Sequence, residues 1–394
     1  MKFIEPALKK IAHFQIIHPI LSVLIIIALS IMIWGGVSQV QTVASLELMM
    51  PETIEEIEAI NTLRDSNMGK DGIVILFSID QNSYLQNSTT DISKFEMIEY
   101  LRSIEAELNH ESDILRTQSI ASFVPQEIST QEEYKEFQTT PQFRELQSQF
   151  ISKDKSNTIL FIESDVARDD LRVQLLNEKI QGIISSSALP SGLSVEYTGT
   201  PIIQQKLGEL VNQDRATTQW ISLLLVFIIT SLVFRSFTAA IMPLLVVFLS
   251  VNWLYGTMGY GGLPISTLAG GVAAMVVGIG IDFAIHIMNK FKYERKQGLN
   301  IPQAIEMAVV HTGTALSATS LTTIGAFLAF FVGVMPEMGS FGLLMAIGIF
   351  YALLFSVFGL PAFLILEEKL LYAIKKRSKF GVEHEFHLEG GDKK

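Results

Sequence analysis

Six apolar runs constrain this chain more than any other feature. A helix of about 20 residues crosses a hydrocarbon core of about 30 Å. Runs of that length lie at 17–38, 216–234, 238–258, 266–288, 312–334 and 340–366. Lipid offers no water to the backbone, so each run must be helical. Between the first and second lies a polar stretch, 41–215, long enough for a full domain. Charged residues make up 18% of the chain. That is below the roughly 25% of soluble domains and fits a membrane part joined to a soluble part. There are no cysteines, which excludes disulfides, thiolate metal sites and cysteine nucleophiles. The first run is too long for a signal-peptide core, and no small-x-small cleavage site closely follows it, so it is expected to remain as a span.

Lysine and arginine set the expected orientation. The stretch 41–215 holds 14 basic and 29 acidic side chains, a local net charge of −15. The other 15 basic residues fall in four places. Lys2, Lys9 and Lys10 precede span 1, and Arg235 separates spans 2 and 3. Lys290, Lys292, Arg295 and Lys296 follow span 4, and the rest, from Lys369 on, follow span 6. With six spans, all four places lie on one side, the cytoplasm. The expected layout is a cytoplasmic amphipathic helix at 1–16, span 1 at 17–38, an extracytoplasmic domain at 41–215, spans 2–6 within 216–366, and a cytoplasmic tail at 367–394. This places the chain in the cell (inner or cytoplasmic) membrane with both termini inside. The acidic charge of the external domain argues against nucleic acid as a partner. Glu337, in an external link, receives no special role.

The external domain reads as two β-α-β units. The first is "KDGIVILFSID" (70–80), the helix "DISKFEMIEYLRSIEAELNH" (91–110) and "DILRTQSI" (113–120). The second is "SNTILFIES" (156–164), the helix at 167–187 and "GLSVEYTG" (192–199). The apolar positions run at helical or alternating spacing accordingly. Between the units, 129–150 reads as polar helices broken at Pro141. His110 stands alone, and Asn87-Ser88-Thr89 fits a glycosylation triplet too common to weigh. No catalytic constellation, metal cluster or cofactor motif emerges, and the chain is read as a non-enzyme.

The unusual chemistry lies in "VVGIGIDFAIHI" (276–287). Asp282 is the only aspartate in any of the six runs. It stands eight residues before Lys290, about 12 Å inside the cytoplasmic end at a rise of about 1.5 Å per residue. A carboxylate there costs at least ~2.5–3.5 kcal/mol, so it is expected to face protein or water, and it marks a functional site by default. Gly271, Met275, Gly278, His286 and Asn289 share its helix face. Gly271 and Gly278 would let another helix approach. His286, one turn nearer the cytoplasm, is a candidate proton relay. Span 5 is rich in hydroxyls, and its Thr319, Ser320 and Thr323 are expected level with Asp282, where they could pass a proton. The competing reading is that such hydroxyls bond their own backbone one turn back. An intramembrane aspartyl protease would need a second aspartate. A nucleotide-binding Gly-rich loop with Lys-Ser/Thr is absent as well.

The order of one span, a large domain, then five spans with Gly278-x-x-x-Asp282 in the fourth resembles half of a resistance–nodulation–division (RND) transporter. The branch is the MMPL-like one, related to sterol-sensing domains. "IEPALKKIAHFQIIHPI", "VEYTGTPIIQQKL", "GIGIDFAIHIMNKFKYE", "AIEMAVVHTGTALSATSLTTIGAFLAF" and "EMGSFGLLMAIGIFYALL" carry the resemblance in order along nearly the whole chain. It implies an α-helical membrane protein of six transmembrane helices with an α+β external domain of ferredoxin-like β-α-β porter subdomains. It also implies proton-driven export of lipids or other hydrophobic molecules, with Asp282 as the proton-coupling residue. Two departures stand out. Phe283 replaces the tyrosine common in this branch, and the chain carries one copy of a unit that full-length members carry twice. A homo-oligomer is therefore expected, most simply a dimer with its axis along the membrane normal, a trimer being the alternative. The rival functions are a sterol-sensing-like lipid binder without transport, and an accessory subunit of a membrane complex.

Overall fold

The computed structural model describes residues 4–42, 50–51, 54–55, 57–59, 62, 71–79, 91–164, 166, 170–266 and 268–377. Asn87-Ser88-Thr89 and the tail beyond 377 lie outside the described residues. The chain divides into two compact units, Met1–Val43 with Leu210–Lys394, and Ala44–Glu209.

In the first unit the amphipathic helix α1 (Glu5–Ile17) stops at His18, because Pro19 opens the next helix, α2 (Pro19–Val37). Helix α7 (Thr200–Phe234) ends at Arg235, whose φ of 49° breaks the helix, and Ser236 then caps α8 (Phe237–Tyr260) through the Ala239 N–H. Helix α9 (Val272–Lys296) leads through Gly298, with φ of 90°, to α10 (Ile301–Met307). A π turn, Ala308–Thr312, joins α10 to α11 (Gly313–Leu328). A second, Phe355–Gly359, joins α12 (Pro336–Leu354) to α13 (Leu360–Arg377).

Among the described residues, six helical stretches are long and apolar enough to cross a membrane: Pro19–Val37, Thr200–Phe234, Ala239–Tyr260, Leu268–Lys296, Ile301–Val332 and Pro336–Leu370. Each overlaps one apolar run, and four extend well beyond theirs. A helix ends at a breaker, not at the edge of its apolar segment, and the polar flanks of these runs lack one.

Close backbone approach binds α2 to α8. A Cβ on Gly259 would fall on the Gly36 carbonyl oxygen, and one on Gly256 would fall on that of Ile33. Small residues allow this contact, which dispersion and hydrogen bonds stabilise in lipid. Trp253 donates to Ser30 at 2.9 Å, and Tyr260 donates to the Met32 carbonyl at 2.8 Å.

The second unit is built on one four-stranded sheet: β1 (Asp71–Ile79), β2 (Ile114–Ser119), β3 (Asn157–Ser164) and β4 (Leu193–Gly199). Helix α3 (Phe95–Leu108) links β1 to β2, and α6 (Asp170–Ser186) links β3 to β4. The chain order is thus β-α-β-β-α-β. The order in space is β2-β3-β1-β4, every pair antiparallel. This corrects the expectation of separate β-α-β subdomains. A two-stranded unit would leave open edges and be marginal in water. Instead β3 inserts between β1 and β2, and among the described strands there is a single sheet. Ile73, Ile75, Phe77, Leu160 and Ile162 alternate onto one face and are fully buried with Ile98, Leu101 and Ile104 of α3 and Ile180 of α6. Gly199 closes β4 with φ of 115°, where a Cβ would strike the Gly72 carbonyl.

Two short helices, α4 (Gln131–Gln138) and α5 (Pro141–Phe150), lie between the halves. Thr130 and Glu133 form a capping box on α4, and Thr140 caps α5 just before Pro141. Their buried Tyr134 and Phe143 rings meet edge to face at 5.7 Å. The turn before β3 is held by Asp154, which accepts from the Ser152 hydroxyl at 2.6 Å and the Ser156 hydroxyl at 2.7 Å. These donors hold its carboxyl at about 2.

Gly259→Val should separate α2 from α8 at a cost of at least about 1–3 kcal/mol. Gly208→Val, where a Cβ meets nothing within 4 Å, should be tolerated by comparison, as read by thermal unfolding in detergent. Asp154 has a folded value below its ordinary 3.8. Its stabilisation is therefore present above that value and lost as pH falls toward about 2. Unfolding curves of wild type and Asp154→Asn should converge over that window.

Candidate functional site

Helix α9 is two-faced. Val272, Ala273, Val276, Val277, Gly280, Ile281, Ala284, Ile287, Met288 and Phe291 are buried. They face α8 and α12, with the lower end against α10 and the π turn of span 5. The other stripe, stepping by threes and fours, is Gly271, Met275, Gly278, Asp282, His286, Asn289 and Tyr293, and every one is exposed. The face singled out from the sequence is therefore the face that this chain leaves open. The two glycines of "GIG" divide the work. A Cβ on Gly280 would stand 3.1 Å from Ala352 of α12, whereas Gly271 and Gly278 meet nothing within 4 Å. Gly280 is thus the packing glycine inside the chain, and Gly271 and Gly278 remain free for an approaching surface.

Among the described residues, the Asp282 carboxylate accepts no hydrogen bond and has no ion pair, and neither does His286. The hydroxyls of span 5 do not reach Asp282. Thr319 donates to Leu316 at 3.0 Å, Thr323 to the Thr319 carbonyl at 2.9 Å, and Ser317 to Gly313 at 2.7 Å. They follow the local alternative, bonding their own backbone. Ser320 differs: its hydroxyl is fully buried with no partner among the described residues. Helix α11 packs chiefly on α12 and not on α9.

Glu337 corrects the reading of an external residue without a role. It is 5% exposed, in the first turn of α12, and its Oε1 accepts from the Leu268 N–H at 3.0 Å. Leu268 opens the 3-10 turn Leu268–Gly271 that starts α9. A carboxylate there meets an unsatisfied N–H and the positive end of the helix dipole. The N-terminal end of α9 is thereby clamped to α12. An acidic residue after Pro336 signals a helix start, but its partner lies 69 residues away, so local patterning could not find it. Toward the C-terminal end of α9, Lys290 pairs with the buried Glu294 at 2.7 Å.

Helices α7 and α8 form an apolar groove of about 460 Å³ lined by residues that include Trp220, Leu224, Phe227, Ile241, Leu245 and Phe248.

The model of the MMPL family matches residues 48–380, which takes in all of α9 and most of both units but leaves α1 and α2 outside. The chain belongs to the MMPL family. It is 29% identical to a membrane protein of Methanocaldococcus jannaschii over 380 residues, 94% of this chain and 97% of that one. It is 23% identical to the sulfolipid-1 exporter MmpL8 of Mycobacterium tuberculosis over 235 residues, 59% of this chain. It is 25% identical to the membrane protein YdgH of Bacillus subtilis over 240 residues, again 59% of this chain. The chain spans about a fifth of MmpL8 (21%) and a quarter of YdgH (26%), but nearly the whole of the methanogen protein. This MMPL chain is a multi-span membrane protein with its one intramembrane aspartate on an open helix face.

Removing the Glu337 clamp should matter through geometry. Glu337→Ala leaves the Leu268 N–H without an acceptor and should cost about 1–3 kcal/mol. Glu337→Gln retains an acceptor oxygen and should recover most of it. Thermal unfolding of the three proteins in detergent checks the order.

Proposed function

We propose that this chain is an RND-type transporter, driven by the proton-motive force, that exports lipids or other hydrophobic molecules and works as a homodimer. The observation that carries the reading is Asp282: an unpaired carboxylate on an exposed, glycine-bearing stripe of an otherwise apolar helix. Such a group is too costly to leave against hydrocarbon. A second copy presenting the same stripe covers it, with Gly271 and Gly278 admitting close approach. In such a pair the two Asp282 side chains approach each other across the axis. His286 lies one turn toward the cytoplasmic side on the same stripe and serves as the relay. Water, not the hydroxyls of Thr319 and Thr323, connects them, because those hydroxyls are committed to their own backbone. Ser320 stands as the one span-5 hydroxyl of the predicted set with a free hydrogen-bonding capacity.

The basic residues support cytoplasmic termini and an external acidic domain in the cell membrane. The β-α-β-β-α-β order supports a ferredoxin-like porter fold for that domain. Helix α7 begins among residues of one unit and ends among those of the other, which gives protonation at α9 a mechanical link by chain continuity. The all-apolar groove between α7 and α8 suits an acyl chain, in keeping with a relative that bears the name of a sulfolipid exporter.

Purified protein in liposomes with an imposed proton gradient should release co-purifying lipid. Asp282→Asn should reduce that release by at least about 100-fold, as expected when a residue acts in an obligatory step. Gradient-independent lipid binding that Asp282→Asn leaves intact, with no release from either protein, would identify a lipid sensor instead.

A further inference from the structure

Helix α1 buries three residues: Leu8, Ala12 and Gln15. The third is an amide on an otherwise apolar stripe, only 2% exposed. Its Nε2 donates to the Phe358 carbonyl at 2.6 Å and, more weakly, to the Val357 carbonyl at 3.4 Å. Both carbonyls belong to the π turn Phe355–Gly359 of span 6. A wide turn departs from the regular i→i−4 ladder and is a costly element that recurs where helices must move or be held. The site is not tuned for stability alone. Gln15 Oε1 and the Ser356 hydroxyl, at the same turn, are both buried without a partner. A leucine at position 15 would have avoided the first of these orphans.

The same helix lies on the other π turn. It packs against Ala308–Thr312 of span 5, and Leu8 Cδ1 is 3.4 Å from where a Cβ on Gly313 would stand. Lys9 Nζ adds an exposed ion pair to Glu306 at 3.2 Å. Helix α9 packs against both turns. One amphipathic helix therefore braces two wide turns that flank the helix bearing Asp282.

We propose that Gln15 is a positioning residue for proton coupling: by holding the span-6 turn in its wide form it fixes the seat of α9 and so the setting of Asp282. If the extra residue of that turn slipped into regular helix, everything beyond would rotate by about 100° and shift by about 1.5 Å. The functional half of this inference rests on the transport reading, while the brace itself does not.

The test uses full-length protein as wild type, Gln15→Leu, Gln15→Glu and, as a control on the exposed side of α1, Lys10→Ala. Hydrogen-exchange protection is read at amides 357–360 and 362–364, since Pro361 has no N–H, and lipid release from liposomes is read against pH. Gln15→Leu should exchange about tenfold faster there, the fold-change expected for one lost hydrogen bond, and should displace the pH profile of release. Gln15→Glu can donate only when its carboxyl is protonated, so protection should approach wild type at low pH and resemble Gln15→Leu at high pH. Lys10→Ala should match wild type in both readouts. Unchanged protection in Gln15→Leu, or pH-independent protection in Gln15→Glu, overturns the brace. Faster exchange with an unmoved pH profile overturns the positioning role. If Asp282→Asn exports normally, the transport reading has failed, and the exchange data alone then decide the brace.

Discussion

A carboxylate without a partner, on the outside of an apolar helix, is the constraint around which this molecule is arranged. Asp282 faces away from the packed side of α9, where Gly280 meets Ala352, and into the stripe that begins at Gly271 and ends at Tyr293. Hydrocarbon cannot solvate a charge, and among the described residues neither a hydroxyl nor a basic side chain reaches it. The group must be covered from elsewhere or reached by water. Both conditions fit the proton-coupling role proposed for it.

The rest of the helical unit holds α9 at its ends. Glu337 clamps the N-terminal end to α12 through the Leu268 N–H. The helix also lies against two π turns, and α1 lies over both, with Gln15 bonded to one and Leu8 beside the residue that follows the other. The clamp and the α1 brace each contain a buried polar group facing backbone from a distant part of the chain. Such contacts contribute modestly to stability because each displaces a bond to water. Their geometric demands are stricter, and so they decide where a helix sits more than whether it forms.

Different layers of this structure were legible to different degrees. The six apolar runs carry their own message, since about 20 residues without charge can do little but cross a membrane. The stripe of α9 was also readable, because residues three and four apart share a face wherever the helix goes. What hydrophobicity could not say was which face would be left open. Periodicity puts Gly278 on the Asp282 face and Gly280 off it, but only the position of α12 shows that Gly280 is the one packed within the chain. The hydroxyls of span 5 were expected level with Asp282 by counting turns. Counting gives height but not rotation about the helix axis, and α11 turned its surface to α12 instead. The sheet shows the same limit. Each β-α-β half was visible from alternation, but the insertion of β3 between β1 and β2 depends on pairing across a gap of many residues.

By itself, then, the amino-acid order determined what local physics dictates: helical spans, strand and helix alternation in the polar stretch, caps such as Thr130 with Glu133, and the placing of one acid among apolar neighbours. The tertiary structure alone decided the partners: Glu337 with Leu268, Gln15 with the Phe355–Gly359 turn, Gly36 with Gly256 and Gly259, and, among the described residues, none for Asp282. The reason is that propensity and periodicity act over a few residues. Hydrogen bonds and close backbone contacts between remote segments depend on how whole helices rotate and slide against one another, and that is settled only when all of them pack together.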